Sequence, residues 1–262
     1  MQPAARRRFD LIVFDKDGTL IDMTAQAAGW ANGIATRMRR EGYDESAIGL
    51  VYANAGWNPE RERCTSTESV LLCGSWKEIN ACATEVLAST PFPQTGVVLS
   101  RAAAGAKVYE WIEEFADALA HKSAPLVDLE RLFRNIKATG CQIAVCTADD
   151  RRNTDVLFEQ FPALTDLVSH VSCADDENEE AVKPNPLLLE SIMRRLGVVD
   201  PSRTMMVGDS SYDMTMGRGA NCGLVVGVAS AVEVDPVVSK NADVVVSSVD
   251  EVEAMLWNSS SL

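Results

Sequence analysis

Short runs of apolar residues punctuate the chain at Leu11 to Phe14, Ile143 to Val145, Met205 to Val207, Leu224 to Val228 and Val244 to Val246. Each run is continuous rather than alternating and rich in β-branched residues, the pattern of strands buried on both faces. Between them, apolar positions recur at helical spacing: Leu129, Leu132, Phe133 and Ile136, then Leu189, Ile192, Met193 and Leu196, and finally Val249, Val252 and Leu256. Strand and helix therefore alternate. The pattern predicts an α/β fold, a doubly wound parallel sheet with right-handed crossovers, whose ligand site lies at the carboxyl ends of the strands.

The rhythm breaks after the first strand. Residues 23–122 lack buried strands and offer helical stretches such as Ala25 to Arg40 and Val108 to Leu119, with Pro91, Pro93 and Gly96 marking a turn. This segment reads as an inserted all-helical domain, leaving 1–22 and 123–262 as the core domain. An insertion at this point of a doubly wound sheet stands on the rim where ligands bind, and so can serve as a lid. Ser123-Ala124-Pro125 reads as the return linker.

Composition narrows the chemistry. The 24 basic against 38 acidic residues leave a formal charge of -14, which argues against nucleic acid or an anionic membrane surface as partner. An anion must then be held locally. Two histidines exclude a chemistry built on histidine clusters, and seven cysteines with no CxxC pair fit a reduced interior. No apolar run reaches the ~18 residues of a membrane span, so a soluble, cytoplasmic protein is expected. Asn258-Ser259-Ser260 reads as a polar tail, and the acidic run Asp175 to Glu180 as a solvated loop.

The strand ends carry the candidate chemistry. The first leads into Asp15-Lys16-Asp17-Gly18-Thr19, two carboxylates two residues apart, with Gly18 allowing a sharp turn. Taken alone this is also the composition of an exposed turn. Carboxylates so close favour a hard divalent cation, and Mg²⁺ is the usual one. Gly208-Asp209-Ser210-Ser211-Tyr212-Asp213 repeats the theme at a later strand end, Thr147 follows another, and Lys183 precedes a helix whose first turn suits Pro184 and Pro186. On one rim, four carboxylates, a hydroxyl and a lysine suit phosphoryl transfer.

These motifs, in this order, resemble the haloacid-dehalogenase-like (HAD) superfamily of phosphohydrolases, in the branch with a helical C1-type cap, and are most similar to phosphoglycolate phosphatases. The resemblance spans nearly the whole chain: Asp15 to Thr19, Thr147, Lys183, and Gly208-Asp209 with Asp213 stand for the four motifs. It implies that Asp15 is the nucleophile, Asp17 the general acid and base, and Lys183 the group offsetting negative charge. It implies Mg²⁺ held by Asp15, Asp17 through its backbone carbonyl, and Asp209, with Asp213 supporting that shell. Thr147, Lys183 and backbone N–H groups near Gly18 would bind the phosphoryl oxygens. The implied activity is Mg²⁺-dependent hydrolysis of a small phosphorylated metabolite through an aspartyl-phosphate. Dehalogenases lack the second carboxylate and transport ATPases carry Thr there, so Asp17 favours ester hydrolysis.

Two departures from the family pattern stand out. Ala148-Asp149-Asp150 follows Thr147 where a cation is usual, which predicts that both acids point outward with Arg151 and Arg152 balancing them; the loop before Lys183 is also unusually acidic. A sugar-phosphate mutase and a non-turnover phospho-accepting module are the alternatives. Gly217-Arg218-Gly219 follows a predicted helix rather than a strand, unlike a dinucleotide fingerprint. Arg37, Arg40, Arg61, Arg63, Arg101 and Lys107 read as solvated faces of the insertion, and Trp30, Trp57, Trp76 and Trp111 as packing residues.

Overall fold

The computed structural model describes residues 7–66, 69–115, 124–176, 181–229 and 236–257. Ser123, residues 116–119 of the predicted helix, 177–180 of the acidic run, and the 258–262 tail lie outside them. By contacts the chain divides into two compact units, residues 1–22 with 125–262, and residues 23–124.

The first unit is built on six parallel strands: β1 (Leu11–Phe14), β2 (Gln142–Cys146), β3 (His170–Ser172), β4 (Thr204–Gly208), β5 (Leu224–Val228) and β6 (Val244–Val246). Their order is β6-β5-β4-β1-β2-β3, so β1 lies between β2 and β4, with Phe14 opposite Val145 and Val207. Alternation along β1 serves both faces. Ile12 and Phe14 pack with Leu132, Phe133 and Ile136 on one side, Leu11 and Val13 with Leu189, Ile192 and Met193 on the other. Phe14 stacks on Phe133 with centroids 5.3 Å apart, worth about 0.5–1.5 kcal/mol beyond the area buried.

The second unit is mainly helical, with α1 (Thr24–Arg40), α2 (Glu45–Ala55), the single turn α3 (Val70–Cys73), α4 (Trp76–Ser89) and α5 (Arg101–Glu113). It departs from the all-helical expectation in a short antiparallel pair, Trp57–Asn58 with Arg63–Cys64, too short to show as a pattern. Its core gathers Trp30, Ile34, Met38, Ile48, Leu87, Val108 and Trp111, and Trp57 is buried with them while Trp76 packs at the edge. Asp44, Ser75 and Ser100 cap helix starts by accepting backbone N–H groups, and Ser75 with Glu78 closes a reciprocal capping box. The predicted helix at 108–119 instead runs 101–113, because Ser100 starts it and the small residues Ala102 to Ala104 continue it. Arg40, Arg61 and Arg63 are exposed, whereas Arg37 pairs with Glu114, Arg101 with Glu85, and Lys107 lies 3.1 Å from Glu41.

The first unit's helices are α6 (Leu129–Ala138), α7 (Arg151–Gln160), α8 (Ala163–Leu167), α9 (Leu187–Arg195), α10 (Ser211–Gly219) and α11 (Pro236–Asn241). The apolar stripe at 249–256 is buried as predicted but winds as a 3-10 helix. No helix among the described residues is long and apolar enough to cross a membrane.

Candidate active site

The site begins where β1 stops. The Asp15 N–H still donates to Val207 O at 2.8 Å, so its backbone is fixed by β4. The chain then folds back at once: Gly18 has φ +82°, and the Leu20 and Ile21 N–H groups both donate to Lys16 O, at 2.9 and 3.0 Å. A left-handed φ is easy for glycine and strained for other residues. A Cβ on Gly18 would also collide with the Asp209 carboxyl group.

Asp209 and Asp213 arrive from the end of β4 and the first turn of α10. Ser210 caps that helix, and its hydroxyl donates to Asp213 Oδ2 at 2.7 Å while its N–H donates to the same oxygen at 3.2 Å. The Asp213 Oδ1 accepts from the Lys183 ammonium at 2.6 Å, and Lys183 donates to Asp15 Oδ1 at 2.5 Å. Thr19 donates to Asp209 Oδ1 at 3.3 Å. Carboxylate oxygens of Asp15, Asp209 and Asp213 lie within 4.8 Å of one another, and all three residues are buried.

Burial raises the Asp15 carboxyl to about 7 against the pull of the Lys183 ammonium. Asp209 is raised well above the carboxylate range, by burial first and then by the charges of Asp15 and Asp213. For Lys183 burial opposes the charge, but Asp15 and Asp213 outweigh it and hold the ammonium protonated.

Asp17 goes elsewhere. Although two residues from Asp15, its carboxyl does not join that cluster: Oδ1 accepts from Lys16 Nζ at 2.5 Å and Oδ2 from the Thr147 hydroxyl at 3.4 Å. Burial raises the Asp17 pKa against the pull of Lys16. The predicted outward acids are corrected here. Asp149 turns inward, accepting from Lys16 at 2.9 Å, and Asp150 caps α7 by accepting the Asn153 N–H at 2.8 Å. Arg151 balances neither; it holds Asp176, at 2.6 Å, and its N–H donates to Asp175 at 2.8 Å. In the described start of the acidic run Asp175 is exposed, as expected of a solvated loop, while Asp176 is held by Arg151 of α7.

The sheet ends therefore bring together Asp15, Asp209, Asp213 and Lys183, with Asp17, Thr147 and Gly18 alongside. Residues 9–221 match the family model of the haloacid dehalogenase-like hydrolases. The chain belongs to that family. A phosphoglycolate phosphatase of Caulobacter vibrioides is 25% identical to this hydrolase over 237 residues, covering 90% of this chain and 86% of the relative. The fold is similar to that of a predicted phosphoglycolate phosphatase from Haemophilus somnus 129PT, with TM-score 0.68, 17% identity, and coverage of 95% and 98% of the two chains. It is also similar to a HAD-superfamily hydrolase of subfamily IA from Geobacter sulfurreducens PCA, with TM-score 0.62, 16% identity, and coverage of 97% and 99%.

Sequence reasoning gave no separate role to Lys16, Thr19 or Ser210. Lys16 was visible as a cation between two acids, and the spacing of Ser210 and Asp213 is that of a capping box. The link from Lys16 to Asp149 spans 133 positions, and no local signal encodes it.

Proposed function

We propose that this hydrolase is a Mg²⁺-dependent phosphomonoesterase acting on a small organic phosphate through an aspartyl-phosphate. The observation that carries the reading is the buried Asp15 oxygen 2.5 Å from Lys183, beside the carboxylates of Asp209 and Asp213. The Caulobacter relative's name supports phosphoglycolate as the first substrate to try.

The residues fit a divalent cation. The donors are all oxygen, and among the described residues five carboxylates (Asp15, Asp17, Asp149, Asp209, Asp213) face the two ammonium groups of Lys16 and Lys183. Asp15, Asp209 and the Asp17 backbone carbonyl would hold it, because both Asp213 oxygens are already engaged by Lys183 and Ser210. When bound, Mg²⁺ supplies positive charge that keeps Asp15 ionised and offsets the charge of the phosphoryl oxygens.

Asp15 attacks phosphorus as the bond to the organic oxygen breaks, and Asp17 gives its proton to that departing oxygen. Water then attacks the aspartyl-phosphate, returning a proton to Asp17 and releasing inorganic phosphate with Asp15 restored. Lys183 stabilises negative charge beside Asp15, Asp213 keeps that ammonium in position, and Thr147 binds a phosphoryl oxygen.

Purified protein is tested on a panel of phosphate esters with Mg²⁺ and with chelator. Free phosphate that requires Mg²⁺ and vanishes in Asp15→Asn supports the reading. No release from any ester would falsify it, and an isomerised phosphate in place of free phosphate would replace it with a mutase.

A further inference from the structure

The proposed chemistry leaves one buried ion group unused. Lys16 stands between the two acids of the first motif, 4% exposed, and its ammonium lies 2.5 Å from Asp17 Oδ1 and 2.9 Å from Asp149 Oδ2. Its backbone is fixed as well, since Lys16 O accepts two N–H groups of the turn. Asp149 is anchored in turn. Its Oδ1 accepts the Asp150 N–H at 2.8 Å and Asn153 Nδ2 at 3.2 Å, and its carbonyl accepts the Ala174 N–H at 3.0 Å.

A lysine head on a four-carbon stem follows whatever partner it has, because its many rotamers cost little to exchange. With one mobile partner, Lys16 and Asp17 would move together. Asp149, tied to the start of α7, makes the ammonium a fixed point. The acid that departs from the family pattern after Thr147 thereby gains a use.

We propose that Lys16 and Asp149 form a positioning pair that holds the Asp17 carboxyl group where it exchanges a proton with the departing oxygen. This rests on the reading of Asp17 as general acid and base. In the step concerned the Asp15 oxygen bonds to phosphorus and the electron pair of the broken P–O bond stays on the organic oxygen. The Asp17 proton goes to that oxygen, yielding an alcohol and the Asp17 carboxylate. An alkoxide needs the proton to leave, whereas p-nitrophenolate leaves without it. Misplacing Asp17 therefore penalises alkyl esters selectively.

The full-length enzyme with saturating Mg²⁺ is followed in single-turnover reactions, measuring product release in the first step. The substrates are p-nitrophenyl phosphate and the alkyl phosphate that the wild type hydrolyses fastest. In Lys16→Met and in Asp149→Asn the alkyl ester slows by about 10- to 100-fold while p-nitrophenolate release stays within about threefold. Aspartyl-phosphate then accumulates, because water attack uses Asp17, and Lys16→Arg recovers part of the alkyl rate. Equal losses on both esters, or no loss on either, overturn the pairing while leaving the phosphatase reading intact. A wild type inactive on both esters overturns that reading instead. Should Lys16→Met lose its circular-dichroism signal, the near-isosteric Asp149→Asn decides by the same comparison.

Discussion

Gly18 and Asp209 meet so closely that a Cβ on Gly18 would stand 2.6 Å from the Asp209 Cγ. The glycine also has φ +82°, so any other residue there strains the turn by about 1–3 kcal/mol besides displacing the carboxyl group. Gly18→Ala is expected to raise the Mg²⁺ concentration that half-saturates activity by about 10- to 100-fold while the fold survives. A Mg²⁺ titration of phosphate release, with circular dichroism alongside, checks this; an unchanged half-saturation point would contradict it.

Among the described residues Lys183 is the one ammonium in contact with both Asp15 and Asp213, at 2.5 and 2.6 Å. Replacing it by Met leaves two buried carboxylates unpaired, which costs about 3–5 kcal/mol. Lys183→Met is expected to lower the urea midpoint and to cut turnover by at least ~10²-fold. Full activity in the folded variant would remove Lys183 from the chemistry.

A ligand that binds only the folded state raises its stability, by ~2.7 kcal/mol at a hundredfold excess over Kd. Mg²⁺ is therefore expected to raise the melting temperature by about 5–10 °C. The shift disappears in Asp209→Asn, because one of the three clustered carboxylates is gone. Differential scanning calorimetry with Mg²⁺ and with chelator makes the measurement.

Away from the site, Asp10 lies between Arg203 and Arg7, with Arg203 Nη2 2.8 Å from its Oδ1. Arg203 foremost lowers its carboxyl from 3.8 to about 2. A depressed carboxylate stabilises the fold above its ordinary pKa and loses that contribution as pH falls through the folded value. Asp10→Asn is expected to cost about 1 kcal/mol at pH 7, discounted for solvent screening, with the difference closing between pH 4 and pH 2. Urea titrations across that range read it, and a pH-independent difference would contradict the ion-pair origin.

What the sequence disclosed follows burial. The runs that became β1, β2, β4 and β5 are almost wholly buried, so apolar composition alone marked them, whereas Val244 to Val246, expected to be buried on both faces, forms the edge strand β6 with Val245 exposed. The edge strand His170–Ser172 was silent because only Ser172 is fully buried, and three mixed residues carry no pattern. The short motifs pointed to Asp15 and Asp209 because each follows a strand end. Lys183 stands further from its helix than expected, since that helix starts at Leu187 with Pro186 at its cap and Pro184 outside its first turn. The fate of Asp149 depended on a lysine 133 positions away, and the neighbouring Arg151 and Arg152 suggested the wrong partner. Pairings across a sheet are chosen by topology, which local composition does not record.

The amide of Asp15 is bonded to Val207 O and that of Thr147 to Ser172 O, so two residues of the candidate site are still stitched into the ladder of β-pairs. Thermal inactivation therefore has no easy local route: the Asp15 peptide unit swings away only when the middle of the sheet comes apart. In deuterated solvent the Asp15 amide belongs among the slowest to exchange, slower than that of Thr147, which is bonded to an edge strand, and its loss of protection is timed with the loss of activity.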